Sequence, residues 1–568
     1  MKLSLKFFAA CLIIVCQTFV SQSGFLWAQS AALSEKLQEQ ITESQRSQTL
    51  EEQSSQLKSK EDEKHAQFEE KVQDLGISED GTADKPKKEN DRKILLLKTL
   101  KFSQSDVLPA DFFDALKQKY ENQMISVNDI YEIVSAVNNE YTVKGYISSQ
   151  AFLAKQDINS GTLFISLAEG IIDKVNVKGN KHTRESYIKR YINFENTDNL
   201  NANITNRQIM EFNASNDAKS RIALAPGEVF GTSDVDLIIE EPNLFSGGLF
   251  SDNGGQQETG MIRVGGFASA NSLAGYRDIL SLGGLYSEGS YAAYLNYEIP
   301  EPFFNARVGA AFNYSHTEII KGDLKDLNVN GSYLAGYLYI KRPFFVRENA
   351  VTNAAFNIGT GNGLSYIAGY PTQDVKTDYY SFSVDNTLIT NFGYFFNMLT
   401  YSQGFKLIDG ETNFEQLSYY GEFFSKIYKT FGAVLKLKGQ AAFETVPNSN
   451  QFSIGGANSV RGYGEGMLAG RDGVSINLEA QYDCDIIKWK PLTYLRGYAF
   501  FDYGVVYPDK AIVASAHNSE DIYSAGFGFK FGLFKYAEAN LTCAFPLDYE
   551  EYSGVPKTKF LFYLQGKI

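Results

Sequence analysis

Beyond Leu244 the sequence shows no helical periodicity as far as Ile568. In its place stand segments about ten residues long that alternate in polarity, separated by Gly, Asn, Asp or Pro. MIRVGGFASA, SYAAYLNYEI, RVGAAFNYSH, SYLAGYLYIK and GAVLKLKGQAAF are examples. A period of two puts successive side chains on opposite faces of a strand. One face of these segments carries Phe, Tyr, Leu, Ala and Val, and the other Ser, Asn, Gln, Glu, Lys and Tyr. About sixteen segments can be counted, with tight joins such as Ser287-Glu288-Gly289 and longer ones such as Gly361 to Asp378. An even number of alternating strands with short and long joins is how an outer-membrane barrel is built. A two-sheet sandwich also satisfies the alternation. The even count and the aromatic content, 35 Tyr and 42 Phe, favour the barrel. Past the N-terminus no stretch reaches 18 apolar residues, so helices do not cross a membrane here, a test that strand barrels escape.

The N-terminus reads as a secretory signal over residues 1–30. Lys2 and Lys6 precede an apolar run from Phe7 to Val20, and small residues follow around Ala28-Gln29-Ser30. The run is too short to span a membrane. Removal of the signal leaves two cysteines, Cys484 and Cys543, which are read as small apolar fillers on the lipid side rather than a disulfide. Residues 31–92 are rich in Glu, Gln, Ser and Lys. Leu33, Leu37 and Ile41 fall on one face at helical spacing, giving either a mostly polar helix with a thin apolar stripe or a helix-prone disordered tail. KSKEDEKHAQFEEK and EDGTADKPKKEND read as linker.

From Lys93 the composition changes. KILLLKTLKF is a strand and PADFFDALKQKYENQ a helix. A second helix follows, with Val127, Ile130, Val134 and Val137 on one face and Ser126 and Asp129 at capping-box spacing. AFLAKQDI and GTLFISLAEG are strands. The order strand, helix, helix, strand, strand then repeats: IIDKVNVKGN, TRESYIKRYIN, TNRQIMEFNAS, SRIALAPGE and SDVDLIIEEP, with Thr205 and Gln208 as the second capping box. The repeats occupy residues 93–170 and 171–242, and the barrel 243–568. The fold class expected is therefore α+β repeats followed by an all-β, 16-stranded transmembrane barrel.

One glycine-rich stretch needs a reason, GGANSVRGYGEGMLAG from Gly455 to Gly470. A phosphate cradle would need a helix after the glycines and a Lys-Ser/Thr pair. Neither is present; RDGVSINLEAQY is another alternating strand. The net charge of −14 argues against a nucleic-acid partner. Four histidines and no catalytic constellation argue against an enzyme, and no cofactor or metal site is expected. Parity places Asp502 on one side of its strand with Phe500, Tyr498 and Arg496, away from apolar Leu495, Ala499 and Phe501. Glu479 shares a side with Asn477, Ser475 and Gln481. Two lumen-facing carboxylates on neighbouring strands would anchor one guanidinium, that of Arg461.

The two repeats resemble POTRA domains. Val460-Arg461-Gly462-Tyr463 in a long loop before the last five strands resembles the TpsB transporters of two-partner secretion, the haemolysin secretion/activation proteins. Phe500-x-Asp502-x-Gly504, Asp252-Asn253-Gly254 and Thr259-Gly260 fit the same pattern. The resemblance implies that the loop folds back into the lumen, that Arg461 meets an acidic residue of the wall, and that the helix carrying Leu33, Leu37 and Ile41 plugs the pore. It further implies an outer-membrane location with the repeats in the periplasm. There they would bind a secreted, TpsA-like exoprotein by adding a strand to a sheet edge, and the barrel would export it. Outer-membrane lipid and the barrel assembly machinery are the other expected partners, and the chain is expected to act as a monomer. The chain ends in Ile568 where such barrels often end in an aromatic residue, while Phe560, Phe562, Leu564 and Gly566 keep lipid-facing parity. An alternative of the same superfamily is a factor that inserts other barrels; those usually carry more than two repeats.

Overall fold

The computed structural model describes residues 92–567 apart from 195–198, 230–231, 302, 407–412, 429, 485–488, 509–518, 535 and 553, together with Leu37, Thr42, Glu43, Arg46, Thr49, Leu50, Glu51, Gln53 and Ser54. The expected signal (residues 1–30), the linker after Ser54, Leu33, Ile41 and Ile568 lie outside the described residues. The chain divides into two units, residues 62–242 and residues 1–61 with 243–568.

In the first unit β1 (Lys93–Leu97), β2 (Thr99–Phe102), α1 (Ala110–Tyr120), β3 (Gln123–Ser126), α2 (Val127–Lys144), β4 (Gln150–Phe152) and β5 (Thr162–Ala168) form one repeat. The second contains β6 (Ile171–Lys178), α3 (Glu185–Tyr191), α4 (Ala202–Ser215), β7 (Lys219–Pro226) and β8 (Thr232–Glu240). The sheets have one topology. In β2-β5-β4 the first strand runs parallel to the last and β4 pairs antiparallel to it, as in β6-β8-β7. The alternating strand Leu163/Ile165 and the helix face Ile133/Val137/Tyr141 meet in a fully buried core.

Two local expectations need correction. KILLLKTLKF is two strands, because Lys98 and Thr99 both donate their N–H to the Gly161 carbonyl and break the run. β1 then pairs with β3, a strand the helical pattern concealed; Asn122, at φ 61°, turns the chain back into it. The second correction is that Thr205 does not open α4. The Asn201 side chain caps it by accepting from the N–H groups of Asn203 and Ile204, so the helix starts earlier and Thr205 is buried inside it. Asn201 also donates to the Lys144 carbonyl, and Ala202 N–H donates to Gly145 O, which docks the start of α4 on the end of α2.

The second unit is a closed antiparallel barrel of sixteen strands. Its first half is β9 (Phe245–Asp252), β10 (Arg263–Asn271), β11 (Ile279–Tyr286), β12 (Ser290–Glu301), β13 (Ala306–Glu318), β14 (Asn330–Arg347), β15 (Ala350–Ile367) and β16 (Tyr370–Thr390). There follow β17 (Gly393–Phe405), β18 (Glu415–Lys426) and β19 (Phe431–Ala442), then a two-strand hairpin, β20 (Phe452–Ile454) and β21 (Leu468–Gly470), that is not part of the wall. β22 (Asp472–Asp483), β23 (Leu492–Tyr507), β24 (Glu520–Leu533), β25 (Ala537–Pro546) and β26 (Lys559–Lys567) complete the wall, and β26 pairs with β9. Outward positions such as Leu249, Leu338, Phe382, Leu541 and Phe560 are exposed apolar residues, as a lipid-facing surface requires. Exposed Phe304, Phe392, Tyr428, Trp489 and Phe534 stand in or beside the joins of the rim where the chain enters at Asn243.

The long join expected from Gly361 to Asp378 is not there. β15 continues to Ile367 and β16 begins at Tyr370, so Ala368 (φ 52°) and Gly369 (φ 80°) alone make the turn. Two positive φ values suit the right-handed twist of a hairpin. Gly361, Gly363 and Pro371 of this stretch sit within paired strands. Cys484 lies just beyond the end of β22 and Cys543 within β25; neither is in a disulfide.

Candidate functional site in the barrel lumen

The connection from Phe443 to Arg471 folds back against the inner wall. Ile454, Val460 and Tyr463 are buried in a cluster with Val506 and Ile522. Gly504 makes this approach possible: a Cβ there would stand 3.0 Å from both Ile454 and Val460 methyl carbons. Gly462, at φ 100°, turns the chain past Pro546. Tyr463 donates its hydroxyl to the Tyr523 carbonyl and accepts from the Asp548 N–H.

These contacts fix Arg461. Its Nε and Nη2 donate to the two oxygens of Asp502 at 2.7 and 2.8 Å, and its backbone N–H donates to the same carboxylate at 3.1 Å. Nη1 donates to Glu479 Oε2 at 3.1 Å. The guanidinium lies 3.6 Å over the Phe500 ring. Strand register explains the arrangement. Asn477 stands opposite Asp502 and Glu479 opposite Phe500, so the carboxylates are diagonal neighbours with the ring between them. Asp502 is fully buried, and the Asn477 amide donates to it at 2.9 Å. Lys530 and Gln481 donate to the other oxygen of Glu479, each at 2.6 Å. Each charged member takes part in charge-assisted hydrogen bonds, so no charge is stranded, while the buried Asn477 Oδ1 and Gln481 Oε1 have no hydrogen-bond partner among the described residues.

A second element occupies the same lumen. The described residues from Leu37 to Ser54 are helical. Glu43 is buried and receives Lys436 Nζ at 2.5 Å, with Lys438 Nζ at 3.6 Å. Arg46 lies 3.9 Å over the Phe396 ring. Leu50 packs among Tyr394, Phe396, Tyr420 and Phe424, and Leu37 among Phe250, Leu285 and Tyr294. Arg496 donates to both oxygens of Glu51, and Ser54 Oγ to the Thr390 carbonyl at 2.7 Å. Helix and loop thus line one bore from opposite parts of the sequence.

Residues 231–531 match the family described as haemolysin secretion/activation protein ShlB/FhaC/HecB, and residues 95–170 match the ShlB-type POTRA domain. The chain belongs to the ShlB/FhaC/HecB family. The outer membrane transporter CdiB of Dickeya dadantii is 23% identical over 398 residues, 66% of this chain and 70% of that protein. The heme/hemopexin transporter protein HuxB of Haemophilus influenzae is 23% identical over 458 residues, 76% of this chain and 80% of its own. Among solved structures, CdiB from Escherichia coli shares the fold with a TM-score of 0.70 at 17% identity, covering 95% of this chain and 98% of that one. BamA from Haemophilus ducreyi lacking POTRA domains 1–3 shares it at 0.53 and 14% identity, covering 84% of this chain and all of that one. This is a TpsB outer-membrane transporter of two-partner secretion, from a family of transporters rather than enzymes.

In this TpsB chain the structure brings Val460, Arg461, Gly462 and Tyr463 together with Asp502 and Glu479. It differs from the sequence expectation in detail: Asp502 alone takes the bidentate pair and Glu479 the third bond. Phe500, Asn477 and Lys530 were missed as partners. Their parity was visible, but which residue stands opposite which depends on register. Of the expected helix residues, Leu37 packs against the wall. Among the described residues of the helix, Glu43, Arg46 and Glu51 also contact the wall, and the apolar stripe did not single them out.

Proposed function

We propose that this TpsB transporter receives an unfolded exoprotein on its POTRA repeats and passes it through the barrel lumen after the N-terminal helix leaves. The occupation of one bore by two elements held through ion pairs carries this reading. Both Glu43–Lys436 and Arg461–Asp502 are exchangeable contacts, not covalent ones. In this reading residues 1–30 are removed, 31–92 form plug and tether, 93–170 and 171–242 are the two POTRA repeats, and 243–568 is the pore. Arg461 keeps the loop against the wall so that the path beside it stays defined. The cargo adds a strand to a sheet edge; β6 and β7 flank β8 in the second repeat and each runs for eight residues. The barrel is delivered to outer-membrane lipid by the assembly machinery and works as a monomer. Without a nucleotide site in the reading, folding of the cargo outside supplies the driving force.

The test is export by chains lacking 171–242 or all of 93–242, compared with the full chain. Cargo should accumulate in the periplasm with both truncations at equal barrel level. Undiminished secretion by the barrel alone would remove the repeats from the receptor role.

A further inference from the structure

Asp252-Asn253-Gly254 lies where the wall closes on itself. β26 and β9 pair from Lys567 opposite Gly248 to Tyr563 opposite Asp252, the shortest ladder of the wall among the described residues. β26 extends back to Lys559, paired there with β25 on its other side. β9 does not follow it. Gly254 N–H donates to Asp252 Oδ1 at 2.7 Å and Gly255 N–H to the Met261 carbonyl at 3.0 Å, which carries the chain away from β26. The strand edge so left would present bare N–H and C=O groups beside lipid-facing Phe560, where lipid offers them no partner.

The Asn253 side chain fills that gap. Continued by one step, the register sets Asn253 opposite Phe562, where a hydrogen-bonded pair exchanges two backbone bonds. One is made from main chain to main chain, Asn253 N–H to the Phe562 carbonyl at 3.4 Å. The other runs from Phe562 N–H to Asn253 Oδ1 at 2.8 Å, so the side-chain oxygen replaces the residue's own carbonyl. Nδ2 of the same amide donates to the Phe560 carbonyl at 2.8 Å, a bond that a continuing strand would draw from the N–H two residues on. Asn and Gln are the side chains that carry a donor and an acceptor in the peptide's own arrangement. Two neighbours at this end of the seam hold the folded-back loop. Gln256 donates to the Glu465 carbonyl at 2.7 Å, and Lys559 Nζ to the Tyr463 carbonyl at 3.3 Å. The loop is thus tied to both flanks of the seam. We propose that Asn253 is the latch of the barrel seam, its amide standing in for strand backbone and sealing the edge where the wall closes. The proposal needs no movement of the N-terminal helix: that helix lies in the lumen, whereas Asn253 acts within the wall.

The test uses the full-length protein, in nanodiscs for backbone amide exchange and in planar bilayers for conductance. In the unaltered chain the Phe562 amide should exchange as slowly as that of Leu564, which lies inside the ladder opposite Ser251. Exchange at the rate of a loop amide would overturn the proposal whatever the variants do. Asn253→Ala should speed exchange at Phe562 at least about tenfold and leave Leu564 unchanged. Asn253→Asp keeps the oxygen that Phe562 needs and loses the donor to Phe560, so it should fall between. In bilayers Asn253→Ala should give brief current bursts several-fold more often than the unaltered chain. Ser251→Cys and Leu564→Cys, opposite each other across the seam and joined by a short crosslinker in a Cys484→Ser, Cys543→Ser background, should suppress those bursts. Unchanged Phe562 exchange in Asn253→Ala, an unchanged burst frequency, or bursts that survive the crosslink would each overturn the proposal.

Discussion

At the scale of single residues, Arg461 is the part of the molecule most exposed to a sharp test. It donates to Asp502 and Glu479 from inside a lumen where Asp502 has no solvent exposure. Removing one partner of a buried pair leaves the other uncompensated, at about 3–5 kcal/mol. That energy is lost from loop docking, since sixteen paired strands hold the barrel independently. Arg461→Ala should therefore leave a folded, inserted barrel and lower cargo in the medium at least about tenfold; Arg461→Lys should fall between, because a point charge cannot reproduce the two-pronged bond. Fractionation of cargo between medium and periplasm, at matched barrel level, measures it. The inward faces of Asp502 and Glu479 were legible from the sequence because a strand has a period of two. The ring of Phe500 beneath the guanidinium, and the Lys530 ammonium on Glu479, were not. They depend on how neighbouring strands slide past one another, and alternation is blind to that slide.

At the scale of elements, the capping of α2 sets a pH dependence. Burial pushes the Asp129 carboxyl up, but Lys93 and the N–H and hydroxyl of Ser126 overcome this and hold it at about 2. A carboxyl depressed by folding adds stability above its unfolded value, near 4, and loses it as pH falls through about 2. Residues 93–242, made as a separate fragment, should show a urea midpoint that declines between about pH 4 and pH 2. Asp129→Asn should flatten that decline. Unequal legibility is plain here too: Ser126 and Asp129 announced their helix, whereas Asn201 hid the start of α4 because Thr205 and Gln208 offered a false box three residues in. The Gly361–Asp378 stretch misled in the same way. Gly and Pro signal turns in a short strand, but β15 and β16 are 18 and 21 residues long and carry such residues within their ladder. The N-terminal helix yields a further expectation. If this helix plugs the pore as proposed, deleting residues 31–60 should raise single-channel conductance in planar bilayers and leave export measurable, because its contacts at Glu43, Leu50 and Glu51 are made to a wall whose strands pair without it.

For the whole molecule, the division of labour follows from composition. The repeats bury apolar cores between helices and small sheets, and in the proposed function a sheet edge takes up a strand of the cargo. The barrel reverses the pattern, turning apolar residues outward and polar, charged and aromatic residues inward. Such an interior suits the passage of an unfolded chain, which needs hydrogen-bonding partners and nowhere to fold. The fold class was legible almost entirely, since two periodicities, helical before Pro242 and two-residue after it, separate the units. The central claim is that cargo travels through the lumen, and adjacent positions of β17 test it. Thr400 lines the cavity inside the barrel, while Leu399, one residue earlier, is exposed on the outer face. A photoreactive side chain would be placed at one or the other in cells whose cargo is stalled by a fused, stably folded domain. Crosslinking of cargo at Thr400 and not at Leu399 is the predicted result; crosslinking at Leu399 alone, or at neither with cargo demonstrably stalled, would contradict passage through the pore.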